Sequence, residues 1–377
     1  MGDQLSNASQ MAVSRPSLLM KTEAIRVCSV LQYGRLTGWS CRGRLYLLMD
    51  VYDITIIGGG PTGLFGAFYA GLRGLKTKVI DVLPELGGQL TALYPEKYVY
   101  DVAGHPKILA KDLAKNLATQ SNLFKPAISS GEKVTSLVKV DDTTWQVITD
   151  KTSEHYTKTV LLALGAGACV PKKLDIEYNH DFENDSIFYA VKNKERFRDK
   201  NVLIIGGGDS AVDWANEFSL LAKSVTLIHR RDQFRAVQTS VEEMKRNKID
   251  IKTFYELKEI QGKDRVEGAV IFDNRTGKEE TIPLDAMIIN IGFVINLDFL
   301  KSWGLKMEVN AITVNEKMET NLPGVYSAGD IAAHPAKLKL IATGAAEAAT
   351  AVNFACTYIN PTAKLFPGHS SNLNLSI

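Results

Sequence analysis

Residues 52–81 read "YDITIIGGGPTGLFGAFYAGLRGLKTKVID". An apolar run, a glycine turn, an amphipathic stretch and a second apolar run follow one another, the order of a strand–helix–strand unit. The spacing Gly58-x-Gly60-x-x-Gly63, with Thr62 inside it, allows a tight turn, close approach of backbone to a pyrophosphate, and tight helix–strand packing. The helix N-terminus then presents free N–H groups and its positive dipole end to the phosphates. Asp81 closes the second strand 18 residues after Gly63, where a carboxylate binds ribose hydroxyls.

A second unit, "NVLIIGGGDSAVDWANEFSLLAKSVTLIHRR", occupies residues 201–231. Gly206-x-Gly208-Asp209-Ser210-Ala211 repeats the fingerprint with alanine in the third place. The end of its second strand is not acidic but reads His229-Arg230-Arg231, with Arg235 close behind. A carboxylate there would repel a 2′-phosphate, whereas guanidinium groups pair with one bidentately; a solvated arginine pair is the plainer reading. Two dinucleotide sites of opposite preference at the adenosine end are most simply filled by FAD and NADP(H).

Working outward, "TNLPGVYSAGDIAA" (320–333) is a strand followed by Gly329-Asp330, a carboxylate suited to the ribityl and pyrophosphate side of a flavin. The Ala-rich segment 340–359 reads as a helix. Its body suits packing, and its first turn, near Thr343-Gly344, aims a positive dipole end at the flavin's pyrimidine edge. The expected fold is α/β, with two Rossmann-like three-layer (ββα) dinucleotide-binding domains. The NADP domain (166–294) is inserted in a discontinuous FAD domain (49–165 and 295–377), whose C-terminal tail lies over the flavin. Residues 1–48 are basic, lack strand-and-turn rhythm, and are expected to be a dispensable extension, with the working chain starting at Met49; an organelle presequence is the rival reading.

Composition narrows the function. With 377 residues, 45% hydrophobic and 23% charged, the chain has the makeup of a globular protein of two domains. A net charge of +2 calls for neither nucleic acid nor membrane, and no apolar run approaches the ~20 residues of a bilayer span. Cys28, Cys41, Cys169 and Cys356 are scattered, so no metal cluster or disulfide framework is implied and a cytoplasmic setting is expected. Two-nucleotide flavoproteins often reduce disulfides through a Cys-x-x-Cys beside the second glycine loop. Here that place holds "YAVKN" (189–193).

The segments "GGGPTGLFGAFYAGLRG", "LGGQLTALYPEKYVYDVAGHPKI", "VLIIGGGDSAVDWA", "LIHRRDQFRA", "YSAGDI", "LIATG" and "FPGHSSN" together resemble the ferredoxin–NADP reductases of the thioredoxin-reductase-like type, over essentially all of residues 49–377. The glycine loops are generic; "YPEKYVYDVAGHP", "HRRDQFRA" and the closing "HSS" are specific. The missing Cys-x-x-Cys separates this group from thioredoxin reductases. The resemblance implies that Asp81 holds the adenosine ribose, that Gln89 and Tyr94 lie against the flavin with Tyr94 stacked on one face, and that His369 covers the other face with Ser371 bonded to the ring. It also implies backbone contacts at Val134 and Cys169, Asp330 at the ribityl–phosphate region, and a homodimer. Taken without it, Tyr94 packs on a turn, His369 sits in a frayed tail and Cys169 is a small buried hydrophobe.

With no dithiol to relay electrons, a flavin must pass them directly to an external acceptor, ferredoxin or flavodoxin. The reaction needs stacking and water exclusion rather than a strong acid or base. Acidic acceptors call for basic residues, and "KNKERFRDK" (192–200) and "KLK" (337–339) are candidates, with a solvated helix face as the plainer reading. An NADPH oxidase using another acceptor and a non-catalytic redox sensor are the rival functions.

Overall fold

A computed structural model describes residues 50–167, 170–294 and 297–372. The expectations for residues 1–48 and for Cys169 fall outside these residues. Strand β1 (Val51–Ile57), helix α1 (Pro61–Leu72) and strand β2 (Thr77–Asp81) form the first unit. Successive side chains of a strand point to opposite faces, and both faces of β1 are covered. Ile54 and Ile56 meet the helices, while Ile57 joins Val160 and Leu162 in the cluster on the other side. That double burial is why the strand reads as a continuous apolar run rather than an alternating one.

The sheet around β1 runs in the order 127–130, β2, β1, 154–162, 145–149, 134–139. Its long strand Glu154–Leu162 divides its outer edge: residues 154–157 pair antiparallel with Trp145–Thr149, and 160–162 pair parallel with Val325–Ser327. The C-terminal part of the chain thus returns to complete the sheet that β1 began.

Strand β3 (Asn201–Gly206), helix α2 (Asp209–Ser219), strand β4 (Ser224–His229) and strand β5 (Ala286–Asn290) form the second unit. They belong to a parallel five-stranded sheet ordered 187–188, β5, β3, β4, 250–253. One face, bearing Val202, Ile204, Ala286 and Ile288, packs on helices including α2. The other, bearing Leu203, Ile205, Met287 and Ile289, packs on an antiparallel meander of three strands, 255–261, 268–273 and 279–283. This is the expected ββα layering.

Two chain crossings join the units, and they run side by side: Val170–Pro171 pairs antiparallel with Phe293–Val294. A second link is the ion pair of Lys97 Nζ with Asp213 Oδ2 at 2.7 Å, with the same ammonium 5.8 Å from the Trp214 ring centre. Helix α3 (Ile341–Ile359) lies on α1, burying Ala348, Ala351, Val352 and Ala355 against Ala67 and Ala70. Small residues along both helices permit that close approach, so the Ala-rich body is a packing element.

Candidate functional site

Gly58 ends β1 with φ +111°, a conformation L side chains rarely adopt, and a β-carbon there would lie 2.2 Å from the Ala163 carbonyl oxygen. The chain then turns through Gly60, the N-cap of α1, with Pro61 in the first turn, leaving the early N–H groups of the helix without intrahelical partners. Gly58, Gly60 and Thr62 all line a cavity of about 990 Å³. That is the upper end of the ~300–1,000 Å³ typical of small-molecule sites.

Asp81 marks one end. It is 6% exposed, and its carboxylate accepts from the Gly59 N–H and, at 2.7 Å, from the Leu83 N–H. Burial raises its pKa, and those two donors pull it back. Val134 lines the same end, with Glu132 and Lys133 beside it. Asp330, three residues past the end of the returning strand Val325–Ser327, lines the cavity too.

Gln89 and Tyr94 line the cavity further along. Tyr94 also packs against the satellite cluster of Leu90, Ala110, Leu113 and Ala114, so it is at once a cavity-lining and a packing side chain. Burial raises the Tyr94 phenol pKa, and the carboxylates of Asp330 and Asp101 push it further the same way. Tyr98, Tyr100, Leu340 and Ile341 also line it, as do Phe299 and Trp303.

Four of the expected residues do not line the cavity. Helix α3 starts at Ile341, so Leu340 and Ile341 reach the cavity and Thr343 does not. The Thr343 hydroxyl is used in capping, donating to the Leu338 and Leu340 carbonyls at 2.8 and 2.9 Å. His369 and Ser371 are exposed and absent from the lining. The tail is held elsewhere: Arg73 donates to the carbonyls of Lys364 and Leu365 at 2.7 and 3.1 Å. Arg73 caps the C-terminal end of α1, whose other end opens on the cavity. A helix of 12 residues separates the two by about 18 Å. Gly63 lies behind the cavity, against Gly58.

At the second loop, Gly208 is the N-cap of α2, and Asp209, Ser210 and Ala211 form its first turn. The His229 ring supports the loop from below, so close that a β-carbon on Gly207 would sit 2.3 Å from it. It stacks on Phe234 at 5.2 Å and reaches the Gln233 carbonyl at 3.1 Å through Nε2. Burial lowers the His229 pKa, as do Arg230, Arg231 and Arg235 nearby. The Arg235 N–H donates to the Gly207 carbonyl at 2.7 Å, tying this segment to the loop. All three arginines are exposed. Among the described residues they take part in no ion pair.

In the basic stretch 192–200, Lys194 pairs with Glu217, Arg198 with Glu195 at 2.6 Å and Arg196 with Asp185 at 3.9 Å, Arg196 also donating to the Asn184 carbonyl at 3.0 Å. Of "KLK", Lys337 is turned inward to Glu347 and Lys339 lines the cavity. Sequence reasoning missed Glu132, Lys133, Tyr98, Tyr100, Leu340 and Ile341. The first two carried a signal in their adjacency to Val134, and the other four lie inside the quoted segments "YPEKYVYDVAGHP" and "LIATG". Among the described residues no group of three or more metal-ligating side chains occurs, and no helix is long and apolar enough to cross a membrane.

Two glycine-loop sites, one opening on a long cavity and one facing free arginines, define a flavin and pyridine-nucleotide protein class, and the comparisons agree. The profile of the pyridine nucleotide-disulphide oxidoreductase family matches residues 52–353. Ferredoxin–NADP reductase 2 of Shouchella clausii (strain KSM-K16) is 52% identical over 325 residues, 86% of this chain and 98% of that protein. Ferredoxin–NADP reductase 2 of Sulfolobus acidocaldarius is 51% identical over 328 residues, again 86% and 98%. Among solved structures, T. acidophilum thioredoxin reductase superposes with a TM-score of 0.69 at 26% identity, covering 83% of this chain and 99% of that one. The chain belongs to the pyridine nucleotide-disulphide oxidoreductase family and, within it, to the ferredoxin–NADP reductases that share the thioredoxin-reductase fold.

Proposed function

We propose that the protein is an FAD-dependent ferredoxin–NADP(+) oxidoreductase. The observation that carries this is the single continuous cavity from Asp81 to Tyr94, paired with a second glycine loop whose arginines are free. The residues fit the cofactor: the glycine cradle admits no β-carbon at Gly58, an acceptor sits at the ribose end, and an aromatic ring sits at the other. Bound there, FAD would supply the capacity to accept a hydride from NADPH and to release the electrons singly.

The chain's own part is binding and positioning. Asp81 accepts from the adenosine ribose, with Val134 at the adenine end. Gly58, Gly60, Thr62 and the first N–H groups of α1 meet the pyrophosphate, helped by the helix dipole. Asp330 takes the ribityl region, and Gln89 and Tyr94 form the wall at the flavin ring, excluding water from one face. The start of α3 offers positive dipole to the ring's pyrimidine edge. At the second site the N-terminus of α2 (Gly206, Gly208, Asp209, Ser210 and Ala211) receives the NADP pyrophosphate, and Arg230, Arg231 and Arg235 receive the 2′-phosphate beside His229. In this reading residues 49–165 and 295–377 are the FAD domain and 166–294 the NADP domain.

The working form is a homodimer in the cytoplasm, with ferredoxin or flavodoxin as acceptor. The position of the tail supports the dimer. Arg73, at the end of α1 away from the glycine loop, holds the carbonyls of Lys364 and Leu365, leaving Phe366 62% exposed and in ring contact with His369 at 5.3 Å. His369 and Ser371 then cover the flavin of a second copy. The test is NADPH-dependent cytochrome c reduction by the full chain with ferredoxin. Thioredoxin and NADH serve as controls. Fast turnover that requires ferredoxin and prefers NADPH is expected; turnover on oxygen alone, indifferent to ferredoxin, would refute the acceptor assignment.

A further inference from the structure

Beneath the cavity floor lies a buried ionic cluster that the function above does not use. Glu347 on α3 is 7% exposed. Its Oε2 accepts from the Gly329 N–H at 2.8 Å and from Lys337 Nζ at 2.6 Å, and its Oε1 accepts from Lys337 at 2.8 Å and meets His334 Nε2 at 3.0 Å. Lys337 spends its remaining proton on the Gly329 carbonyl at 2.7 Å. Both backbone polar groups of Gly329 are therefore held by the two partners of one ion pair. Gly329 has φ +78° and is wedged sideways as well, since a β-carbon on it would lie 2.7 Å from Thr62 Oγ1, and one on Gly344 would lie 2.3 Å from the same hydroxyl.

A buried ion pair is a poor source of net stability, because desolvating two charges cancels much of their attraction, and a well-packed apolar pair of equal volume often does as well. What such a pair supplies is direction. The next residue along the chain is Asp330, which lines the cavity. The geometry points to Lys337 and Glu347 as a positioning pair for the cofactor: by gripping Gly329 at both its N–H and its C=O, they set the place of the Asp330 carboxylate in the flavin site. This rests on the FAD reading above. It assigns Lys337 to the interior of the site, as a residue that acts through Asp330 without touching the ligand.

The test is FAD affinity of the deflavinated protein, read by fluorescence quenching, together with the visible circular dichroism of the rebound flavin. NADP+ affinity, measured on the same samples, reports whether the second unit is intact. Lys337→Met is expected to raise the FAD Kd by about tenfold or more and to alter the flavin dichroism, with NADP+ affinity unchanged. Lys337→Arg is expected to recover most of the loss. Glu347→Gln, which keeps an acceptor for the Gly329 N–H, covers the case in which Lys337→Met does not fold and is expected to weaken FAD by about threefold. The decisive comparison is the double variant: if Lys337 acts through Asp330, Lys337→Met in an Asp330→Asn background adds less than about twofold. Full multiplication of the two single effects, or wild-type FAD affinity in Lys337→Met, would overturn the inference. A wild-type protein that takes up no FAD would overturn the parent reading, and this one with it.

Discussion

Gly63 lies against Gly58 so closely that a β-carbon on Gly63 would sit 1.8 Å from the Gly58 carbonyl oxygen. The obstacle is backbone, which cannot swing aside as a flexible side chain does. The equivalent place in the second loop holds Ala211, fully buried and tolerated there. Gly63→Ala is therefore expected to cost about 1–3 kcal/mol through overpacking and to lower the melting temperature by roughly 2–10 °C. FAD content should fall with it. Ala211→Gly should cost no more than about 1 kcal/mol. Scanning calorimetry and flavin absorbance of the purified variants check both.

Arg230 and Arg231 are exposed beside the second loop with no ion-pair partner among the described residues. Charge-assisted hydrogen bonds are worth about 1.5–3 kcal/mol each. Replacing both with alanine should raise the KM for NADPH by about 10- to 100-fold or more, while the KM for NADH stays within about twofold because NADH has no 2′-phosphate. Equal losses with both nucleotides would mean that the arginines support the loop and do not read the phosphate.

Two histidines link stability to pH. His229 and His155 both have pKa values held below 6.5, chiefly by burial, with Arg230 acting in the same direction at the first and Lys78 at the second. Above pH 6.5 both are neutral, folded or unfolded, and their contribution to stability is complete. As the pH falls below 6.5 the unfolded chain binds protons first, so stability declines toward the lower folded pKa values. The melting temperature should therefore fall between pH 7.5 and pH 5.5, and His155→Gln should remove part of that slope. A flat profile in the wild type would contradict the assignment of buried, neutral imidazoles.

The location of the tail makes a prediction about mixed dimers. Tyr94→Ala and a chain ending at Asn360 should each be nearly inactive. If the tail covers a second copy's flavin, co-refolding the two restores one complete site in each heterodimer, or about a quarter of wild-type activity in a 1:1 mixture. Restoration to nothing would place the tail over its own flavin.

The two glycine loops, Asp81 and the arginines at the end of β4 were legible because each signal is local: a few residues fix a turn, and the chemistry sits within it. Gln89 and Tyr94 needed the family resemblance, since nothing in "GQLTALY" by itself separates a flavin wall from a turn. Lys337 misled as part of an apparent surface patch, because its partner Glu347 lies ten residues away on the next helix and only the fold brings them together. The tail shows the same limit. Its sequence suggests what His369 could contact, but the hydrogen bonds from Arg73, 291 and 292 residues distant, decide where it is. Thr343 was placed within two residues of the true helix start, the usual error at helix ends.

The paired crossings Val170–Pro171 and Phe293–Val294 carry a consequence for how such a chain can change over time. Because the chain leaves the first unit and re-enters it through adjacent antiparallel strands, both covalent connections to everything between them lie side by side. A segment with neighbouring ends can be exchanged for another of different size without pulling the host apart. The unit built on β3, α2, β4 and β5 is thus an insertion with neighbouring ends. Under the function proposed above, a graft at this ribbon is expected to change the nucleotide donor while the cavity between Asp81 and Tyr94 is left as it stands.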